Sequence, residues 1–283
     1  MADALVCHRA LSARGGESCP DVLPVSHRAL AVELQHALDR DELTLHYQPL
    51  VELASRRIVG TEALVRWDHP QQGRLAPGLF IPVAEECGLI EPLGQWVLAQ
   101  ACRQAALWQA DGTPIGMSVN VSAQQLDSPG FADGVVTCLR ESGLPPAMLT
   151  LELTETVLAG NTQSTRLTME TLKQLGVQFA IDDFGMGYSA LGYLSAFPVD
   201  ELKIDKSFVD RMDTEPWGAV LIRTIISLGR SLDLRLVAEG IETPAQAEHL
   251  RRLGCDIGQG YYFSRPLPAS ELCLAADSSR VAG

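Results

Sequence analysis

The chain has 283 residues, a formal net charge of −13, 46% hydrophobic residues and 20% charged residues. That length suits one large domain or two small ones, and a core of that size buries roughly 75% of the surface of the unfolded chain without help from disulfides or a structural metal. The composition excludes intrinsic disorder, collagen and coiled coil, and the acidic balance disfavours generic binding of nucleic acid or anionic lipid, so a phosphate ligand would need positive charge supplied locally.

Residues 1 to 26 mix Gly15, Gly16, Pro20 and Pro24 without a sustained period and read as a flexible tail or linker remnant. Met1 to Cys19 has no apolar h-region, so it does not read as a secretory signal. A helical pattern (Leu30, Leu34, Leu38) then runs from Ser26 to Asp39. Eight short apolar segments follow and predict strands: Leu43–Val51, Ile58–Trp67, Ile115–Ser122, Leu149–Thr156, Gln178–Gly185, Glu201–Asp205, Arg235–Glu242 and Ile257–Ser264. Helix-length segments such as Glu91–Ala110, Ser164–Leu175 and Gly218–Ser231 lie between the later ones, a pattern that predicts a parallel sheet closed into a barrel. Glu52 to Arg57 is too short for a parallel crossover, so the first two strands should form a hairpin. The expected fold is α/β, a modified TIM (β/α)8 barrel with an antiparallel first strand, spanning residues 27 to 276 before a short tail, 277 to 283.

The most apolar stretch, Ala219 to Leu228, is interrupted by Arg223 and is too short to span a bilayer. Seven scattered cysteines with no C-x-x-C pair read as small packers in a reducing cytoplasm. The polar residues within the strands gather near their C-terminal ends: Glu62, Asn120, Glu152, Glu155, Asp182, Asp183, Lys203, Asp205, Glu239, Glu242 and Gln259. In a barrel, that rim is where active sites are built. Two like charges ~4 Å apart repel by about 4 kcal/mol at an effective dielectric near 20, so the cluster needs a cation. Carboxylates and an amide, with no histidine or cysteine at ligand spacing, are hard oxygen donors suited to Mg²⁺ or Mn²⁺.

Glu62-Ala-Leu-Val-Arg66-Trp67, Ser118-Val-Asn120-Val-Ser122, Leu151-Glu152-Leu-Thr-Glu155, Asp182-Asp183-Phe-Gly185, Leu202-Lys203-Ile-Asp205, Ala238-Glu239-Gly-Ile-Glu242 and Gly258-Gln259-Gly260 occur in that order. The ordered set resembles the motifs of the EAL-domain phosphodiesterases over roughly Ser26 to Ala276. Tyr47-Gln48-Pro49, Phe80-Ile81-Pro82 and Phe263-Ser264-Arg265-Pro266-Leu267 support it. The resemblance implies hydrolysis of the bacterial second messenger cyclic di-GMP to linear pGpG by two metal ions, Mg²⁺ or Mn²⁺; Ca²⁺, larger and looser in its coordination, is expected to occupy the cluster and inhibit. It implies that Glu62, Asn120, Glu152 and Asp182 hold one ion, and that Asp182, Asp183 and Glu239 hold the other. Lys203 would fix the attacking water, with Gln259 nearby. Arg66, Gln48, Leu64, Asp205 and Pro266 would face substrate, and Glu155 would anchor the loop after the aspartate pair. A homodimer, a cytoplasmic location and an upstream sensor or cyclase domain in a longer parent chain are further implications.

Plainer readings remain for single residues: Arg66 as a surface ion pair, Lys203 as a neutraliser of Asp205, and Glu242 as a cap or partner of the following helix. Asn120-Val-Ser122 spells a glycosylation sequon by coincidence. Met186, Ala190 and Gly192 depart from the threonine and serines common after the aspartate pair, and Cys87 replaces a frequent threonine. A rival function is a degenerate EAL module that binds nucleotide or a protein without cutting. A third is a barrel enzyme that uses Mg²⁺ and a lysine to remove a proton beside a carboxylate.

Overall fold

The computed structural model describes residues 25–160, 163–185, 197–212, 215 and 217–274. Its strands, in chain order, are β1 (Leu43–Glu52), β2 (Ile58–His69), β3 (Gly73–Leu75), β4 (Gly116–Asn120), β5 (Leu149–Thr154), β6 (Gln178–Phe184), β7 (Glu201–Ile204), β8 (Arg235–Ala238), β9 (Ile257–Gly258) and β10 (Leu267–Pro268). Hydrogen bonding follows the order β1-β9-β8-β7-β6-β5-β4-β2, and β2 pairs back onto β1, which closes an eight-stranded barrel. Neighbours from β2 through β9 are parallel, while β1 is antiparallel to both β2 and β9. The reversed first strand follows from the short link: Glu52 N–H donates to Arg57 O, and Arg56 N–H donates back to Glu52 O with Arg56 at φ +62°. Strands β3 and β10 lengthen the sheet at its margins.

The helices lie outside the barrel. Helix Ile90–Ala110 buries Leu93, Val97, Ala101, Ala105 and Trp108, spaced by three and four residues so that one stripe faces the sheet. Trp108 meets Tyr47 of β1 edge-on, with ring centroids 5.0 Å apart. Trp67 of β2 is fully buried, packs edge-on against Phe80 and donates its indole N–H to Glu42 at 3.2 Å, so its one polar atom is satisfied.

Six of the eight predicted strands are shorter than expected, the last two by the most. Segment Arg235–Glu242 stops pairing at Ala238, and Ile257–Ser264 stops at Gly258. The reason is Gly260: a Cβ there would stand 2.1 Å from Ile241 O, and Phe263 and Ser264 N–H both return to Gly260 O, so the chain turns instead of extending. Cys102, Cys138 and Cys255 are buried and free, as a packing role requires. Among the described residues, no helix is long and apolar enough to cross a membrane.

Candidate active site

The barrel's strand registers place the polar residues at one level. Residues 62, 64 and 66 share a face of β2 because side chains alternate along a strand, with Glu62 deepest and Arg66 nearest the rim. Running the other way, β1 sets Gln48 directly opposite Glu62. Asn120 of β4 pairs with Glu152 of β5, and Thr154 pairs with Asp182 of β6. Alternation alone would send Asp182 and Asp183 to opposite faces. The β6–β7 register breaks between Ile181 and Phe184, and Asp183 takes φ +54°. That irregularity brings both carboxylates to the cluster, a strained conformation of the kind that collects at functional sites.

Lys203 rises from β7 into the centre of this group and is 1% exposed. Its Nζ lies 2.6 Å from Glu152 Oε2, 2.6 Å from Glu239 Oε1, 3.2 Å from Asp182 Oδ1 and 3.8 Å from Glu62 Oε2. Asn120 Nδ2 donates to Glu62 Oε1 at 2.6 Å. Gln259 Nε2 donates to Glu62 Oε2 at 2.6 Å and to Gln48 Oε1 at 3.0 Å, while Gln48 Nε2 donates to Ser264 O.

Burial works against the Lys203 charge, but Glu152, Glu239, Glu62 and Asp182 together hold its pKa well above the ordinary lysine value. Burial raises Glu152 well above the carboxylate range despite Lys203. Burial also raises Glu239; Lys203 pulls it down, yet Asp182 and Glu62 push the same way as burial and leave it at about 8. Asp183 is raised by burial and then by the charges of Asp182 and Asp205. One lysine therefore does not neutralise the rim. Asp182, Asp183 and Glu239 offer carboxylate oxygens within 4.8 Å of one another, and Gln259 Oε1 is buried without a hydrogen-bond partner. Clustered hard oxygen donors, raised carboxyl pKa values and an orphaned acceptor all fit a divalent cation.

The profile of the EAL domain family matches residues 31–266. The chain belongs to the EAL domain family. It is 42% identical over 276 residues to the bifunctional diguanylate cyclase/cyclic di-GMP phosphodiesterase MucR of Pseudomonas aeruginosa, an alignment covering 96% of this chain and 40% of that protein. It spans about 30% of the length of two further curated relatives. The solved PaMucR phosphodiesterase in complex with c-di-GMP superposes with a TM-score of 0.83 at 44% identity, covering 87% of this chain and all of that one. The EAL enzyme Bd1971 with cAMP and cyclic di-GMP bound also gives 0.83, at 32% identity, covering 87% of this chain and 68% of that one.

In this EAL domain an open cleft of about 280 Å³ lies over the cluster, walled by Gln48, Glu62, Leu64, Asp182, Glu239 and Gln259. A more apolar cavity of about 390 Å³ adjoins it beyond Leu64 and reaches Asn120 and Glu152. Arg66 is half-buried at the rim, its Nη1 donating to Val65 O, and burial lowers its pKa while Tyr261 opposes that. Asp205 and Pro266 stand apart from both cavities. Asp205 Oδ1 accepts from Ser207 N–H and caps helix Lys206–Arg211, and Pro266 O accepts from His46 Nδ1. Glu155 begins a helix rather than ending a strand, and its Oε2 accepts from Gly185 N–H at 3.2 Å. Glu242 pairs with Lys206. Asn120 is exposed at the rim rather than inside the barrel, and Ser122 of the sequon caps a short helix through Gln125 N–H. Met186, Ala190 and Gly192 lie outside the described residues. Lys206 and Tyr261 line the cleft and were not singled out in the sequence, although each directly follows a motif, Lys203-Ile-Asp205 and Gly258-Gln259-Gly260.

Proposed function

We propose that this chain hydrolyses cyclic di-GMP to linear pGpG with divalent metal ions, Mg²⁺ or Mn²⁺. The observation that carries the reading is the barrel rim itself: a full set of hard oxygen donors around a buried lysine, open to a cleft. MucR, named as a cyclic di-GMP phosphodiesterase, and the PaMucR complex with c-di-GMP support it as relatives.

Glu62, Asn120, Glu152 and Asp182 would hold one ion, and Asp182, Asp183 and Glu239 a second. Bound ions supply Lewis acidity, which lowers the pKa of a coordinated water and steadies charge on the phosphate oxygens. Lys203 holds the attacking water by hydrogen bonding and offsets the surplus of carboxylates once the cluster is ionised. Gln259 fixes Glu62 and Gln48 by donating from Nε2 to both. Arg66 grips a phosphate through two parallel N–H bonds. Gln48 and Leu64 line the substrate cleft, whereas Asp205 and Pro266 serve the walls around it as a helix cap and a His46 acceptor, and Glu155 anchors the segment that leaves Gly185.

The chain's short span of its curated relatives supports a longer parent protein carrying a sensor or cyclase domain upstream. A homodimer and a cytoplasmic location belong to the same proposal, as the family resemblance implies them. Incubating the protein with cyclic di-GMP and Mg²⁺ and weighing the products tests the function. The expected product is linear and heavier by one water; an intact, bound nucleotide would show a receptor instead.

A further inference from the structure

Lys206 stands on the wall of the same cleft as Glu62, Asp182 and Glu239, and the chemistry above does not use it. Its ammonium is turned outward, 2.6 Å from Glu242 Oε1 and 3.1 Å from Asp210 Oδ1, with 45% of its side chain exposed. The stem lies across Gly240: a Cβ on that glycine would stand 2.2 Å from Lys206 Cγ and 2.5 Å from Lys206 Cβ. The bare backbone at 240 thus lets the lysine run beside Glu239 instead of being pushed out of the cleft. Its place in the barrel matters equally. Going round from β2 through β4, β5 and β6, the strand β7 is the fourth neighbour of eight, so Arg66 near the end of β2 and Lys206 just after β7 stand on opposite sides of the barrel mouth.

We propose that Lys206 is a movable phosphate ligand, held in reserve by Glu242 and swung onto the second phosphate of the bound dinucleotide as the cleft fills. The inference rests on the phosphodiesterase reading and deepens it. A cyclic dinucleotide carries two phosphates on opposite sides of its ring, and two cations on opposite walls match that charge pattern. The exchange is favourable: an exposed ion pair shifts an equilibrium by about fivefold at most, whereas a charge-assisted bond to phosphate shifts it roughly tenfold to a hundredfold.

The test compares Lys206→Met, Lys206→Arg and Glu242→Gln with the parent in steady-state hydrolysis of cyclic di-GMP, with melting temperatures measured alongside. Lys206→Met raises KM about tenfold with little change in kcat, and Lys206→Arg restores most of the affinity. Glu242→Gln removes the nearer of the two carboxylates that hold the lysine, leaving only Asp210, and lowers KM. Opposite effects on KM from the two partners of one ion pair are what a merely structural bridge does not produce. If both variants raise KM, or neither changes it, the proposal is overturned. Should Lys206→Met fail to fold, the direction of the Glu242→Gln effect decides alone. Turnover by the parent reports on the phosphodiesterase reading separately, so an active parent with unchanged variants sinks only the role of Lys206.

Discussion

Lys203 is nearly inaccessible to solvent yet remains charged, because four carboxylates at 2.6 to 3.8 Å repay the loss of water. Such a residue is fixed in place, whereas Arg66, half-buried at the rim, can turn toward a ligand. The two should therefore fail differently. Arg66→Ala is expected to raise KM about tenfold while kcat changes little, and Lys203→Ala to lower kcat by about a hundredfold or more while KM changes little. The reverse pattern in initial-rate kinetics would show that the roles are exchanged. Asp183 poses a related question, since it would serve one ion whereas Asp182 serves both. Asp183→Asn is expected to cut turnover by roughly 10–100-fold or more and leave most of the nucleotide affinity, measurable by calorimetry beside an activity assay. Unchanged turnover would remove Asp183 from the metal set. The aspartate pair also marks how far the sequence could be read. Its residue types disclosed the chemistry, but strict alternation forbids both side chains from facing one point, and the register break with φ +54° at Asp183 is a tertiary feature.

At the level of elements, strand period was the readable part and strand length was not. The short Glu52–Arg57 link foretold the hairpin because covalent reach alone decides it. The early end of β9 depends on how closely Gly260 approaches Ile241, a distance that no local pattern contains. Strand β7 also shows that alternation places Glu201 on the face of Lys203, two residues nearer the start of the strand. Glu201 is 5% exposed, accepts from Thr150 Oγ1 at 3.3 Å and has Arg235 no nearer than 4.0 Å. Burial raises its pKa above the ordinary carboxylate value, with Arg235 and Thr150 only partly opposing. A raised folded pKa means the native state binds more protons than the unfolded one, so stability falls as pH climbs from the unfolded pKa through the folded one. Glu201→Gln, which keeps the shape and an acceptor for Thr150, is expected to melt higher than the parent at pH 8, and the gain should shrink toward pH 4. A variant that melts lower at pH 8 would mean that the Arg235 attraction outweighs the burial cost.

The whole molecule combines a net charge of −13 with a phosphate-binding proposal, and the two agree only if cations gather where the substrate sits. Lys203 supplies one, Lys206 lines the cleft, Arg66 stands on β2 beyond Leu64, and Asp182, Asp183 and Glu239 would recruit the rest from solution. The choice of ion then follows from size. Mg²⁺ holds near-octahedral oxygens at ~2.0–2.1 Å, whereas Ca²⁺ accepts six to eight at ~2.3–2.6 Å with loose angles. In this barrel the donors come from β2, β4, β5, β6 and the residue after β8, elements whose spacing is set by backbone hydrogen bonds, so the carboxylates can yield by tenths of an ångström but the strands cannot follow. In-line attack requires the reacting atoms to be aligned at about 3–3.5 Å, a tolerance that a few tenths on each ligand exhausts. Mg²⁺ or Mn²⁺ is expected to support hydrolysis. Ca²⁺ is expected to occupy the same carboxylates, compete with Mg²⁺ and preserve the bound nucleotide uncut, visible as calorimetric binding of cyclic di-GMP in Ca²⁺ without product. Turnover in Ca²⁺ at a rate close to that in Mg²⁺, with other metals chelated away, would show that the ion acts here by charge alone and that the spacing of the cluster does not govern the reaction.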